Sequence, residues 1–291
     1  MTPRPGVRVV CVTYRPGPEL EEFATSLGAA TAAPVELVLV DNGDDHTVAR
    51  EVAERHGATL LTPGRNLGYG AAANLGARRG SHDGAQADAP PWLVVANPDV
   101  VWHPGALDTL LAAAERTGAG AVGPRLLNTD GTTYPSARAL PSLTHGIGHA
   151  LLARVWPGNP WSRAYRRDDD DAERTTGWLS GACLLLRQEA FVQVGGFDEA
   201  YFMFFEDTDL GDRLGRAGWA SVYVPTAHVT HVGGMSWRAR PAPMIRAHHA
   251  SALRYLCGRY DRWYQWPTRV ALRVGLAARQ TLELRRAARE G

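Results

Sequence analysis

Through its first 116 residues the chain alternates short, β-rich apolar runs with stretches of helical spacing. The apolar runs cover 7–13, 35–40, 59–61 and 92–96, and the helical patterns cover 19–30, 47–56, 70–79 and 104–116. Few architectures accept this order. Strand–helix–strand alternation argues for an α/β fold, a mostly parallel sheet with helices on both faces. In open sheets of that kind ligands bind beyond the carboxyl ends of the strands. The polar residues at those ends are therefore the first place to look for chemistry.

The pattern changes after Gly118. Segments 123–127 and 132–136 flank Asn128-Thr129-Asp130-Gly131, and Asp-Gly between such runs signals a hairpin. Residues 141–176 have weak periodicity, Trp and Tyr anchors and the acidic run 168–171, and read as a mobile loop with solvated aspartates. A strongly apolar strand at 178–186, a helix from Gln188 and a strand at 220–224 follow, and the tail from Pro243 is helical and Arg-rich. The expected organisation is an α/β domain over 1–240 and a helical extension over 241–291.

A chain of 291 residues with 45% hydrophobic and 21% charged residues can bury a large core. Its net charge of +1 gives no reason to expect nucleic-acid binding. All 31 basic residues are Arg, a compositional bias more than a chemical signal. Cys11, Cys183 and Cys257 form no C-x-x-C pair and no disulfide framework, which fits a reducing compartment. Cys11 and Cys183 sit in apolar runs and read as core residues. The start M-T-P-R-P-G lacks the apolar stretch of a signal peptide, and no run reaches the ~18 apolar residues of a membrane span. The expectation is a cytoplasmic protein able to rest on the inner face of the plasma membrane. Residues 262–291 carry seven Arg and two Glu and open with Trp263, Tyr264 and Trp266, which suits an anionic membrane surface. A solvated helix or a homodimer contact reads equally well from the mixed wheel.

Residues 195–213 bring aromatics and acids together. Glu206, Asp207 and Asp209 follow directly on Phe202-Met203-Phe204-Phe205. Apolar neighbours raise a carboxylate's pKa and suit it to act as a general base, while the same acids could simply open a helix on its positive end. Elsewhere, polar residues follow the strands. Thr13-Tyr14-Arg15 ends the first without a G-x-G-x-x-G cradle, which disfavours a dinucleotide fold. Asp41-Asn42-Gly43 ends the second and offers an acid to a ribose or base, or a plain turn. Asn97-Pro98-Asp99 ends the fourth, where a carboxylate can meet a divalent cation or cap a helix. Asn66-Leu67-Gly68-Tyr69-Gly70 precedes a helix carrying Asn74, and His231-Val232-Gly233-Gly234 reads as a loop facing a ligand, beyond the 220–224 strand. Together these describe a site for a nucleoside diphosphate, a divalent metal and a carboxylate base.

The segments V-L-V-D-N-G-D, N-L-G-Y-G-A-A-A-N-L-G, V-A-N-P-D-V, W-L-S-G-A-C-L-L-L-R, G-G-F-D-E-A-Y-F-M-F-F-E-D-T-D-L and H-V-G-G-M-S occur in this order. As a set they resemble inverting family 2 glycosyltransferases with the GT-A fold, especially bacterial rhamnosyltransferases of cell-wall linker or O-antigen synthesis. The resemblance implies a nucleotide-binding half at 1–118 and an acceptor and catalytic half at 119–240. It implies a nucleotide-sugar site of Thr13, Tyr14, Arg15, Asp41, Asn42, Asn66, Gly68, Asn74, Asn97 and Asp99, and a Mg²⁺ or Mn²⁺ ion on Asp99 and His231. Asn97 stands where the DXD-type motif has its first acid. Asp207 maps to the general base with Glu206 beside it, and Trp178, Ser180 and Gly181 to the acceptor-facing segment. The implied reaction moves L-rhamnose from dTDP-L-rhamnose to a polyprenyl-diphosphate-linked sugar such as GlcNAc, in one addition. Galactofuranose or glucose from a UDP donor is the competing reading, and a non-catalytic nucleotide-sugar-binding protein a further one.

Overall fold

A computed structural model describes residues 6–79, 89–141, 171–233 and 241–290. The strands are β1 (Val7–Thr13), β2 (Val35–Asp41), β3 (Thr59–Leu61), β4 (Trp92–Ala96), β5 (Val100–Trp102), β6 (Ala121–Leu127), β7 (Thr133–Tyr134), β8 (Ala137–Arg138), β9 (Arg174–Thr176), β10 (Trp178–Leu179), β11 (Cys183–Arg187) and β12 (Ser221–His231). The helices are α1 (Glu19–Ala30), α2 (Thr47–His56), α3 (Tyr69–Ala77), α4 (Ala106–Thr117), α5 (Gln188–Gln193), α6 (Glu206–Arg216), α7 (Pro241–Arg259) and α8 (Trp266–Glu290).

One sheet runs β3-β2-β1-β4-β11-β6-β12-β5, with β7 on β6 and β9 on β12. Its β3-β2-β1-β4 half is parallel, as the alternation requires. β11 then lies antiparallel to both β4 and β6, and β12 runs parallel to β6. This reversal matters for the site. An inserted antiparallel strand begins where its neighbours end, so the start of β11 lies at the carboxyl edge shared by β1, β2, β4, β6 and β12. Cys11, Ala96 and Cys183 stand side by side across β1, β4 and β11, directly beneath that edge.

Both faces of the sheet are covered. Along β1, Val7, Val9 and Cys11 pack toward α1 and α4 with Leu20, Phe23, Leu107 and Leu110. Val10 and Val12 alternate to the other face, against Ala72, Ala73, Leu210 and Leu214 of α3 and α6. Cys11 and Cys183 are core residues, their thiols pushed up by burial.

Three expectations need correction. The apolar run at 178–186 is two strands, β10 and β11, interrupted at 180–182 because Gly181 turns its amide away to a side-chain acceptor. The strand expected at 220–224 continues to His231 across an irregularity between Val224 and His228, so His231 ends β12 instead of opening a loop beyond it. Within the expected loop 141–176, Arg174–Thr176 pairs with β12 as β9. Asp171 makes an exposed ion pair with Arg125. Residues 142–170 and 234–236, which include the rest of the acidic run and the end of H-V-G-G-M-S, lie outside the described residues.

Candidate active site

The ends of β1 and β2 form a closed polar cluster. The Asp41 carboxylate is fully buried; Oδ1 accepts from Thr13 Oγ1 at 2.9 Å and from the Gly43 amide at 3.1 Å. Its Oδ2 lies 2.7 Å from Nδ1 of His46. Asp41 thus fixes the turn and the His46 ring, and all its oxygens are occupied by the protein itself. Asn42 is also buried: Nδ2 donates to the Gly68 carbonyl, and Oδ1 accepts from the Leu67 amide. Asn66 Oδ1 accepts from the Gly68 amide. Gly68 has φ +84°, and a Cβ there would lie 2.2 Å from the Phe202 carbonyl oxygen, so only glycine fits. Tyr14 and Arg15 are exposed; Arg15 pairs with Asp44 at 2.9 Å.

Asn74 is put to a different use from the expected one. It is buried on α3, its Nδ2 donates to the Phe197 carbonyl and its Oδ1 accepts from the Phe197 amide, both at 2.9 Å. It clamps the turn leading into residues 198–205 and presents no free polar atom to a ligand.

At the ends of β4 and β12, Asp99 and His231 meet. Nε2 of His231 lies 3.3 Å from Asp99 Oδ1 and 3.3 Å from Asn97 Nδ2, so the ring either donates to the acid or accepts from the amide. Asp99 Oδ2 accepts from the Gly233 amide at 3.0 Å. Burial would raise the Asp99 carboxyl, but the bond to His231 and the Gly233 amide outweigh it and hold its pKa below the ordinary value. The carboxylate stays charged at neutral pH. An anionic oxygen beside an imidazole nitrogen is a donor set that suits a divalent cation. Among the described residues no group of three or more His, Cys, Asp or Glu is placed to hold a metal, so the described residues would supply two such ligands at this point.

The expected helix does begin at Glu206. The residues before it are strained: Phe204 and Phe205 have φ of +68° and +65°, a region that costs a non-glycine residue about 1–3 kcal/mol. Packing from α7 holds them there, with the His248 ring edge-on to Phe204 and Phe205 and Ser251 Oγ donating to the Met203 carbonyl at 2.8 Å. The turn aims Asp207 at β11. Its Oδ2 accepts from the Gly181 amide at 3.0 Å, and Oδ1 accepts from the Thr208 amide at 2.7 Å and more weakly from Thr208 Oγ1. Burial raises the Asp207 pKa, and these donors oppose the rise. Glu206 is more deeply buried, with Oε2 making no hydrogen bond, and burial together with the Asp207 charge pushes its pKa up to about 8. Of the two acids, Asp207 is the one whose carboxylate form the Gly181 and Thr208 amides favour. Asp209 pairs instead with Arg213 at 2.7 Å along the helix.

Sequence reasoning missed three participants here. Tyr69 donates its hydroxyl to the Gly181 carbonyl at 2.5 Å, holding the same glycine whose amide meets Asp207. Its place in N-L-G-Y-G was the available signal. His46, on Asp41, and Arg138, opposite Trp178 on β8, carry no local motif. Of the expected acceptor-facing segment, Gly181 contacts Asp207, Trp178 packs against α6, and Ser180 Oγ accepts from the Ala182 amide.

The model of a family described as glycosyltransferase like family 2 matches residues 3–250. The chain belongs to glycosyltransferase family 2. It is 50% identical over 285 residues to N-acetylglucosaminyl-diphospho-decaprenol L-rhamnosyltransferase of Mycobacterium tuberculosis, covering 95% of this chain and 92% of that protein. The O-antigen biosynthesis protein RfbC of Myxococcus xanthus is 31% identical over 80% of this chain and 18% of its own length. Among solved structures, mannosyltransferase PcManGT from Pyrobaculum calidifontis, in complex with GDP-Man and Mn²⁺, superposes with a TM-score of 0.55 at 19% identity, over 99% of this chain and 80% of that one. At that identity the likeness concerns the fold, which is of the GT-A type expected.

Proposed function

We propose that this family 2 glycosyltransferase moves L-rhamnose from dTDP-L-rhamnose to a polyprenyl-diphosphate-linked N-acetylglucosamine, with inversion and in a single addition. The observation that carries the reading is the 50% identity, spanning nearly the whole of both chains, to an enzyme named for that transfer. The geometry supports it chemically. Asp207, held by Gly181 and Thr208, takes the proton of the acceptor hydroxyl as that oxygen attacks the anomeric carbon. The bond from that carbon to the phosphate oxygen breaks, and its electron pair leaves with dTDP. Asp99 and His231 would hold a divalent ion, which offsets charge on the leaving diphosphate. An imidazole in the donor set favours Mn²⁺ over Mg²⁺. Thr13, Asp41 and Asn42 shape the nucleoside pocket from behind, and His46 is their member with surface to offer. Incubation with dTDP-L-rhamnose and polyprenyl-diphosphate GlcNAc should yield the disaccharide lipid and free dTDP. Preferential turnover of UDP-galactofuranose or UDP-glucose would overturn the donor assignment.

The acceptor class also asks for a membrane surface, and the described residues contain no helix long and apolar enough to cross one. We propose that α8 rests on the anionic inner face of the plasma membrane. Trp263 is 83% and Trp266 59% exposed, and Tyr264, Val270, Val274 and Leu282 are exposed beside arginines of the same segment. Aromatics with arginines suit the headgroup boundary. The other side of α8 packs on α7, which covers the Phe204–Phe205 turn. Replacing Trp263 and Trp266 by Ala should weaken binding to phosphatidylglycerol vesicles about tenfold; unchanged vesicle binding with loss of a dimer would assign the face to a second copy instead.

A further inference from the structure

Arg138 is a half-buried cation beside the base with no acid to pair with among the described residues. It stands on β8 directly opposite Trp178 of β10, with its guanidinium 5.7 Å from the centre of the indole ring. Nε donates to the Pro135 carbonyl at 3.1 Å. The ribbon beneath is pinned, because the Gly177 amide and Thr176 Oγ1 both donate to the Arg138 carbonyl. Arg213 and Arg259, half-buried on the neighbouring helices, have carboxylates: Arg213 pairs with Asp209, and Arg259 with Asp212.

The surroundings say what the charge faces. A Cβ on Gly211 of α6 would lie 2.7 Å from Cβ of Trp178, so the ribbon sits hard against that helix. Asp207 is four residues earlier on the same helix face, and Arg138 is near enough for its charge to lower the Asp207 pKa. The ribbon continues through Ser180 to Gly181, which bonds the base. Arg138 therefore borders the space an acceptor hydroxyl must enter. A neutral sugar has no need of a cation there. An acceptor whose sugar is joined at its anomeric carbon to a diphosphate brings two phosphates to within one sugar ring of the attacking oxygen. A guanidinium offers a planar, bidentate match to phosphate oxygens.

We propose that Arg138 binds the acceptor's diphosphate and so positions the acceptor hydroxyl at Asp207. The proposal rests on the acceptor class inferred above, and it makes Arg138 a positioning residue, distinct from the base.

The test compares two acceptors in the full chain: polyprenyl-diphosphate GlcNAc and an uncharged octyl β-GlcNAc glycoside. Arg138→Gln should raise KM for the diphosphate acceptor about tenfold to a hundredfold, leaving KM for the donor and for the neutral glycoside within about twofold of wild type. Arg138→Lys should recover part of the loss. Any effect of the lost charge on Asp207 is common to both acceptors, so their ratio isolates the diphosphate. Slow donor hydrolysis without acceptor reports that the variant has folded. Equal losses on both acceptors, or none on the diphosphate, would overturn the proposal. Failure of the wild type to use either GlcNAc acceptor would instead strike the acceptor class itself, and the proposal with it.

Discussion

The buried polar groups at the ends of β1 and β2 and those at the start of α6 share one sheet edge, yet they are accommodated in opposite ways. Thr13, Asp41, Asn42 and His46 satisfy one another and the loop backbone, with no carboxylate oxygen of Asp41 left over. At α6, Glu206 keeps an unbonded buried oxygen beside a second acid, and two aromatic residues are held in the left-handed region to place them. The first arrangement is a scaffold whose groups hold shape. The second stores unfavourable energy where the proposed reaction moves a proton, as active sites do. The difference predicts that substitutions will separate into losses of stability on one side and losses of rate on the other.

The largest effect should fall on rate. Asp207→Asn keeps the size of the side chain and an acceptor for the Gly181 amide but removes the proposed base. Turnover should fall by about 10²–10⁴-fold, the usual share of a positioned proton acceptor. The urea midpoint should hardly move, because the change also relieves a buried charge beside Glu206. Turnover within a few-fold of wild type would remove Asp207 from its role.

Asp41→Ala is the mirror experiment. It strands the Thr13 hydroxyl, the Gly43 amide and His46 Nδ1 in a buried cluster. The expected cost is about 3 kcal/mol of stability, read from urea unfolding, with KM for the donor rising as the loop loosens. A variant as stable as wild type but unable to bind dTDP would blur the comparison: Asp41 would then be a ligand group instead of a scaffold one.

Much of this was legible in the chain, and unevenly. The parallel half could be read because β1, β2 and β4 are buried on both faces and the helices between them carry their own periodicity, so local pattern and tertiary role agree. The placement of Asp99 and Asp207 at the sheet edge could be read because a short polar motif at a strand or helix end is a local signal. What could not be read depends on partners distant in sequence. The break at 180–182 exists because Gly181 serves an acid 26 positions away. Nothing in Phe204-Phe205 announces a left-handed turn, since neither Gly nor Asn is present; α7, more than 40 residues later, imposes it. Asn74 has the residue type of a ligand group, and only the fold reveals that Phe197 claims its amide. Pro225 interrupts the alternation of β12 and hid its continuation to His231.

The finest test of the contrast is Glu206. Its carboxyl titrates near 4.5 when free and is pushed up to about 8 in the fold. A raised acid binds its proton more tightly folded than unfolded, so its contribution to stability is fully present below the unfolded value. That contribution is lost as pH rises through the folded value. Wild type should therefore lose stability relative to Glu206→Gln between about pH 5 and about pH 8, with the gap levelling off above. Gln is a close mimic of the protonated acid, so turnover near neutrality should change only a few-fold while its alkaline limb shifts. Urea midpoints of the two proteins across that range decide the matter. Parallel curves would mean that Glu206 is ionised in the fold and has found a partner, leaving the base side as fully satisfied as the cluster around Asp41.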